Sequence, residues 1–190
     1  MQKSKRHYTV DEYFYVETTS DIKHEYFDGE IFAMAGGSRD HDRISRNVLT
    51  HFHQKLTGSQ CEAFTSNMRI RTPSGLYTYP DASIVCGTPD IVRIQGTDTI
   101  GNPVVLVEVL SESTGEYDRG QKFDLYRSIR ELRDYVLIDQ SRAQVEHRRR
   151  VQDTEWVSDF RTSLDETIRL SGVDIDLPLS SIYADVDLGR

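Results

Sequence analysis

Val104, Val105, Leu106, Val107, Glu108, Val109 and Leu110 stand in succession, aliphatic at every position but one. An unbroken aliphatic run of this length reads as a strand covered on both faces. Such a strand belongs in the middle of a sheet, so the chain must supply a layer on each side of it. A lone ionised carboxylate inside that strand is very costly. Glu108 must therefore be paired, protonated or bound to a cation. The plainer alternative is a buried salt bridge, or a strand-end glutamate that reaches solvent.

The rest of the chain supplies those layers. Thr9 and Glu12 form a capping box that opens a short helix over about residues 9–16. Asp28 and Gly29, between candidate strands at 24–27 and 30–34, are a strong hairpin signal. Ile44, Val48, Phe52 and Leu56 recur on one side of a helix over about 40–56, with Ser38 or Asp40 as its cap. Short strands follow at 62–65, 68–72, 80–86 and 103–110, then a helix over about 117–129 and a strand at 135–139. Beyond Ala143 the pattern is β, at 144–150, 155–161 and 167–170, with short strand or turn over 173–183. This order predicts an α/β (α+β) fold with a mixed central sheet, flanking helices and added C-terminal hairpins. A chain of 190 residues fits one domain. Its core is expected at about 8–139, with a β-rich extension at about 140–185.

Two more residues stand out beside Glu108. Pro80 can open a strand but cannot donate to its ladder, so Asp81 belongs near a strand end, where a sheet offers side chains to a ligand. Ordinary turn chemistry explains a Pro-Asp pair equally well. On the predicted helix over 117–129, Leu125, Tyr126 and Ile129 fall around Lys122, which places a lysine on the apolar face. Its stem can snorkel to the surface. A helix that returns over the preceding strand, however, turns this face toward Glu108, and the two residues can meet.

The bulk properties narrow the function classes. Cys61 and Cys86 form no metal-ligand cluster and no disulfide framework, so free thiols are expected. The polar, basic stretch over residues 1–8 does not resemble a signal peptide, no apolar run approaches membrane-spanning length, and a cytoplasmic protein is expected. The net charge of −8 argues against general affinity for nucleic acid, although a local basic patch can work inside an acidic chain.

Pro80 and Asp81, then an apolar strand with Glu108, then a lysine, resemble the pattern of the PD-(D/E)XK nuclease superfamily. More narrowly, the chain resembles a bacterial family of restriction-endonuclease-like proteins. The shared texture includes His24, Glu25, Tyr26, Phe27, Asp28, Gly29 and Glu30, then His41 opening a helix. It continues through Tyr79, Pro80 and Asp81, Glu108 with Ser111 after it, Asp118 to Lys122, and Asp134 to Asp139. The superfamily's usual lysine, two positions after the glutamate, is Leu110 here, and the narrower family places it on the following helix, at Lys122. The resemblance implies a metal-dependent endonuclease that hydrolyses nucleic-acid phosphodiester bonds, with DNA as substrate. Asp81 and Glu108 would hold Mg²⁺ or Mn²⁺, joined by a backbone carbonyl near Val109, and Lys122 would orient water and offset phosphoryl charge.

A second tier comprises His41, which faces inward on its helix, and Glu25 and Glu30 beside the hairpin turn. Glu112 and Glu116 are expected in solvent. Candidate nucleic-acid contacts are Arg69 and Arg71 on one strand face and Arg148 and Arg150 on another, with Arg142 and the opposite-face His147 and Arg149 nearby. A charged edge strand that blocks aggregation explains the second set as well. Trp156 and Phe160 read as core or dimer contacts. Two rival functions remain open: a non-catalytic nuclease-fold interaction or dimerisation protein, favoured by the net charge and the displaced lysine, and a phosphodiesterase for a small substrate. A homodimer is expected by analogy with nucleases that make paired cuts.

Overall fold

The computed structural model describes residues 6–188; the start of the basic N-terminal stretch, residues 1–5, lies outside them. Helix α1 spans Val10–Thr19, with Thr9 and Glu12 making the capping box in both directions. Strands β1 (His24–Phe27) and β2 (Glu30–Ala33) are joined through Asp28 and Gly29, both at positive φ. That is the geometry of the turn their sequence predicts. Helix α2 spans Arg39–Leu56, and its cap is Ser38, whose hydroxyl accepts from the His41 amide. Strands β3 (Cys61–Thr65), β4 (Arg69–Arg71), β5 (Tyr77–Thr78) and β6 (Ala82–Cys86) follow. Then come β7 (Ile91–Ile94), β8 (Thr97–Ile100) and β9 (Val105–Leu110).

The helix predicted over 117–129 begins earlier and is shorter and uneven. It runs through α3 (Gly115–Tyr117), a π-helical turn at Asp118–Lys122 and α4 (Phe123–Tyr126). The rest of the chain is β10 (Asp134–Asp139), β11 (Val145–Arg150), β12 (Trp156–Arg161), β13 (Thr167–Leu170), β14 (Ile175–Pro178) and α5 (Leu179–Ile182).

The fold is mixed α+β. The central sheet has the order β12-β11-β10-β9-β6-β3, with β9 and β10 parallel and the other neighbours antiparallel. A second sheet runs β2-β1-β5-β4-β8-β7, and β13 pairs with β14. Strand β9 lies inside the central sheet and every one of its residues is buried. Val105, Val107 and Val109 face α2, α5 and the β13–β14 pair. Leu106 and Leu110 face α4 and residues of the second sheet. Each fully buried aliphatic side chain contributes roughly 1.5–3 kcal/mol, so this strand is a principal anchor of the fold. The C-terminal hairpins are continuous with it. Strands β11 and β12 extend the central sheet, and Ile168, Leu170, Ile175 and Leu177 complete the core under α2.

Two features depart from the sequence reading. Cys61 and Cys86 are joined by a disulfide rather than free, because the β3–β6 register sets them directly opposite each other. Residues 91–100 form a hairpin where no element is predicted. Most of β7 is exposed on both faces, so its side chains carry no alternation to read.

Candidate active site

The site lies where β6 meets β9. Ala82 pairs with Val107 in the antiparallel ladder. Continuing that register by one residue sets Asp81 opposite Glu108. Asp81 also takes over a ladder contact, accepting the Val109 amide on Oδ2 at 2.7 Å. The same oxygen lies 3.3 Å from His41 Nε2, which the first turn of α2 brings over the sheet. Burial opposes the charged form of His41, but the hydrogen bond and charge of Asp81 outweigh it and raise the ring's pKa.

Glu108 points to the opposite side of the sheet from Val107 and Val109, between Leu106 and Leu110, and is 5% exposed. Lys122 Nζ lies 2.9 Å from its Oε1, and the Tyr126 hydroxyl donates to the same oxygen at 2.8 Å. Lys122 also pairs with Glu25 at 3.0 Å and Asp118 at 3.4 Å. Thr78 donates to the Glu25 carboxylate from β5. Three carboxylates thus surround one ammonium, all buried. Asp118 and Lys122, four residues apart at the two ends of the π-helical turn, rise from one side of it.

Charge and burial compete here. Burial pushes the Glu108 carboxyl up to about 8, with Lys122 pulling it down and the charges of Asp118 and Asp81 adding to the rise. Burial also raises Asp118 against the opposing pull of Lys122. For Lys122, burial favours the neutral amine, but the surrounding carboxylates prevail and hold it well above the usual lysine range.

An open cleft of about 670 Å³ lies on the Asp81 side. Asp81, His41 and Tyr79 line it, together with Lys23, Arg46 and Asn67. Glu108 and Lys122 do not line it; they sit behind Asp81.

The donor set suits a hard, hydrated cation. The contacts of Glu108 converge on Oε1 and those of Asp81 on Oδ2, leaving the second oxygen of each outside these contacts. Among the described residues no group of three or more His, Cys, Asp or Glu is arranged to hold a metal ion. Mg²⁺ does not require such a group, since one or two carboxylates with water and substrate oxygen suffice.

The structure brings together Asp81, Glu108, Lys122, His41 and Glu25 of the predicted set. Glu30 sits opposite Phe27 at the start of β2 and joins none of these contacts. Glu112 and Glu116 are exposed, as expected. Arg69 is corrected. It is 1% exposed, donates to Thr99 and Tyr79, and lies over the Phe14 ring, so it belongs to the interior and not to a nucleic-acid surface. The other candidate arginines are engaged within the protein. Arg71 pairs with Asp90, Arg142 with Asp139, Arg148 with Glu146 and Arg149 with Asp159. Arg150 donates to the carbonyls of Arg127 and Ile129, and His147 is buried against Asp134. Trp156 packs edge-on against Phe123, while Phe160 is exposed.

Sequence reasoning missed Asp118, Tyr126, Lys23 and Arg46. The first two had a signal, since they stand four residues either side of Lys122 on a helical segment. Lys23 and Arg46 had none.

Comparison with known proteins agrees with this architecture. The family model Uma2, described as "Putative restriction endonuclease", matches residues 10–180. The chain belongs to the Uma2 family. Two Synechocystis proteins, both named as uncharacterized, are similar to it. The slr1290 protein is 35% identical over 175 residues, covering 91% of this chain and 90% of the relative. The sll1609 protein is 35% identical over 150 residues, covering 78% and 84%. A crystal structure from Anabaena variabilis, described as a "putative nuclease belonging to DUF820", superposes with a TM-score of 0.69 at 16% identity. The match covers 87% of this chain and 92% of that one, and it shows the shared fold. Among the described residues no helix is long and apolar enough to cross a membrane.

Proposed function

We propose that this Uma2 chain is a metal-dependent nuclease that hydrolyses phosphodiester bonds, with DNA as substrate. The observation that carries the reading is the facing pair of carboxylates, Asp81 and Glu108, at the point where the sheet opens onto a cleft. The family description and the described nuclease with the same fold support it.

Asp81 and Glu108, with the Val109 carbonyl, are the residues that would hold Mg²⁺ or Mn²⁺. When bound, such an ion polarises the phosphate and acidifies water. The protein's own part is orientation. The Val109 amide and His41 fix the Asp81 carboxylate. Tyr126 and Lys122 fix Glu108 and keep its charge compensated. Lys122 is the only ammonium in the buried cluster. Its charge would offset negative charge developing on phosphoryl oxygens at the carboxylate pair. A second copy of the chain is needed only if both strands of a duplex are to be cut.

One observation favours the rival, non-catalytic reading: Lys122 is 4% exposed and held by three carboxylates, away from the cleft lining. Calorimetric titration with Mn²⁺, wild type beside Glu108→Gln, separates the two. Binding in the wild type that is lost in the variant, with Mn²⁺-dependent cleavage of DNA, is the expected result. A wild type that binds Mn²⁺ neither alone nor with a DNA oligonucleotide present leaves the non-catalytic reading.

A further inference from the structure

The cleft beside Asp81 is lined by the carboxylates of Asp42 and Asp81 and by the basic side chains of Lys23, His41 and Arg46, so its charges are balanced. The chain carries a net −8, and most of its arginines are spent on internal partners. Arg46 is an exception. It stands on α2 about one turn beyond His41, is exposed, and lines the cleft. Among the described residues its guanidinium makes no hydrogen bond and no ion pair.

Lys23 is a second basic side chain in the cleft lining; burial lowers its pKa, against the pull of the Glu17 and Asp81 carboxylates. Its Nζ donates to the Ser66 carbonyl at 2.8 Å and to Asn67 Oδ1 at 2.7 Å. An ammonium has three donors, so one remains. Accepting that bond on Oδ1 also orients the exposed Asn67 amide, which leaves its NH₂ to donate. Unlike Arg46, then, Lys23 is held in place by the turn between β3 and β4. Asp81 and His41 lie in the same cleft.

We propose that this cleft holds one unpaired strand of nucleic acid, with phosphates flanking the reacting one bound by Arg46 and Lys23. The proposal rests on the nuclease reading and deepens it by naming the substrate class. Two phosphate contacts suit a short stretch of a single strand. A duplex would bring a second strand of phosphates toward a chain of net charge −8, where repulsion weakens binding.

Fluorescence anisotropy tests this on the full chain, with Ca²⁺ in place of Mg²⁺ to spare the probe. The probes are a labelled single-stranded thymidine oligonucleotide and a duplex of equal length. The variants are Arg46→Ala and, as a control that removes the same charge elsewhere, Arg130→Ala, an exposed side chain. Arg46 has no partner to lose, so its removal spares the fold, which circular dichroism checks. The expected result is a loss of about 3- to 10-fold in single-strand affinity for Arg46→Ala. The slope of log affinity against log salt should fall by about 0.7, one single-strand phosphate. Arg130→Ala should stay within about twofold, and the duplex should bind more weakly than the single strand. Wild-type-like binding by Arg46→Ala overturns the cleft assignment while leaving the nuclease reading intact. Tighter binding of the duplex overturns the substrate class alone. A wild type that binds neither oligonucleotide overturns the nuclease reading and this proposal with it.

Discussion

Asp81 and Glu108 occupy opposed positions in one ladder yet live in different surroundings. Around Glu108 the contacting side chains are buried, three carboxylates share one ammonium, and the hydroxyls of Tyr126 and Thr78 complete the contacts. Around Asp81 the partners are a backbone amide and a histidine, and the cleft admits solvent. One side is a fixed electrostatic frame and the other is an opening. In low dielectric Lys122 attracts each carboxylate strongly while the carboxylates repel one another, so removing the lysine leaves all three unpaired. The open side is solvated, so its groups exchange partners at small cost and are the ones able to meet a substrate.

Breaking the frame should therefore cost fold, and breaking the opening should cost chemistry. The largest effect is expected from Lys122→Met, which leaves Glu25, Glu108 and Asp118 without their cation. A loss of about 3–5 kcal/mol is expected in urea unfolding, as for buried ion pairs that lose one partner. A loss under about 1 kcal/mol would mean the cluster is already neutralised by protons.

Asp81→Asn should do the reverse. Metal-dependent cleavage is expected to fall by roughly 10²–10³-fold, about 3–4 kcal/mol of transition-state stabilisation, with the unfolding midpoint nearly unchanged. Equal damage to stability and rate would erase the contrast between the two regions.

The pH dependence sharpens it. Folded Glu108 holds its proton more tightly than an ordinary glutamate, at about 8 against 4.5. Its contribution to stability is therefore present below the ordinary glutamate value and is lost as pH rises toward and through about 8. Metal binding needs the ionised carboxylate, so Mn²⁺ affinity should run the opposite way. It should gain close to tenfold per pH unit up to about pH 8 and level off above it, measured by calorimetry. A flat affinity profile would remove Glu108 from the ligand set.

The smallest effect is expected at His41. His41→Asn should slow cleavage by about 10-fold and leave Glu108 and its partners untouched, because the histidine acts through Asp81 and the Val109 backbone. A rate equal to wild type in single-turnover cleavage would assign it to packing of the α2 start.

Much of the fold was legible because burial leaves periodic marks. The aliphatic run around Glu108, the stripe of Ile44, Val48, Phe52 and Leu56, and the Asp28 and Gly29 turn all became what their patterns imply. Strand β7 was not legible, because an exposed strand needs no alternation. The disulfide was hidden for another reason. Cys61 and Cys86 are 25 residues apart, and only strand register decides that they face each other. Arg69 and Arg71 share a strand face by spacing, but which face is covered depends on α1 packing its aromatic rings there, which no local pattern states.

By itself, the sequence determined that Glu108 is enclosed in a central strand and that Lys122 sits on an apolar helix face, since both follow from neighbours within one or two turns of chain. Only the tertiary structure decided that Glu25 and Asp118 share that lysine, that His41 reaches Asp81, and that Arg46 lines the same cleft with no hydrogen bond or ion pair among the described residues. Those facts depend on distances between segments far apart in the chain. Such distances are fixed by how whole layers pack and not by any local preference.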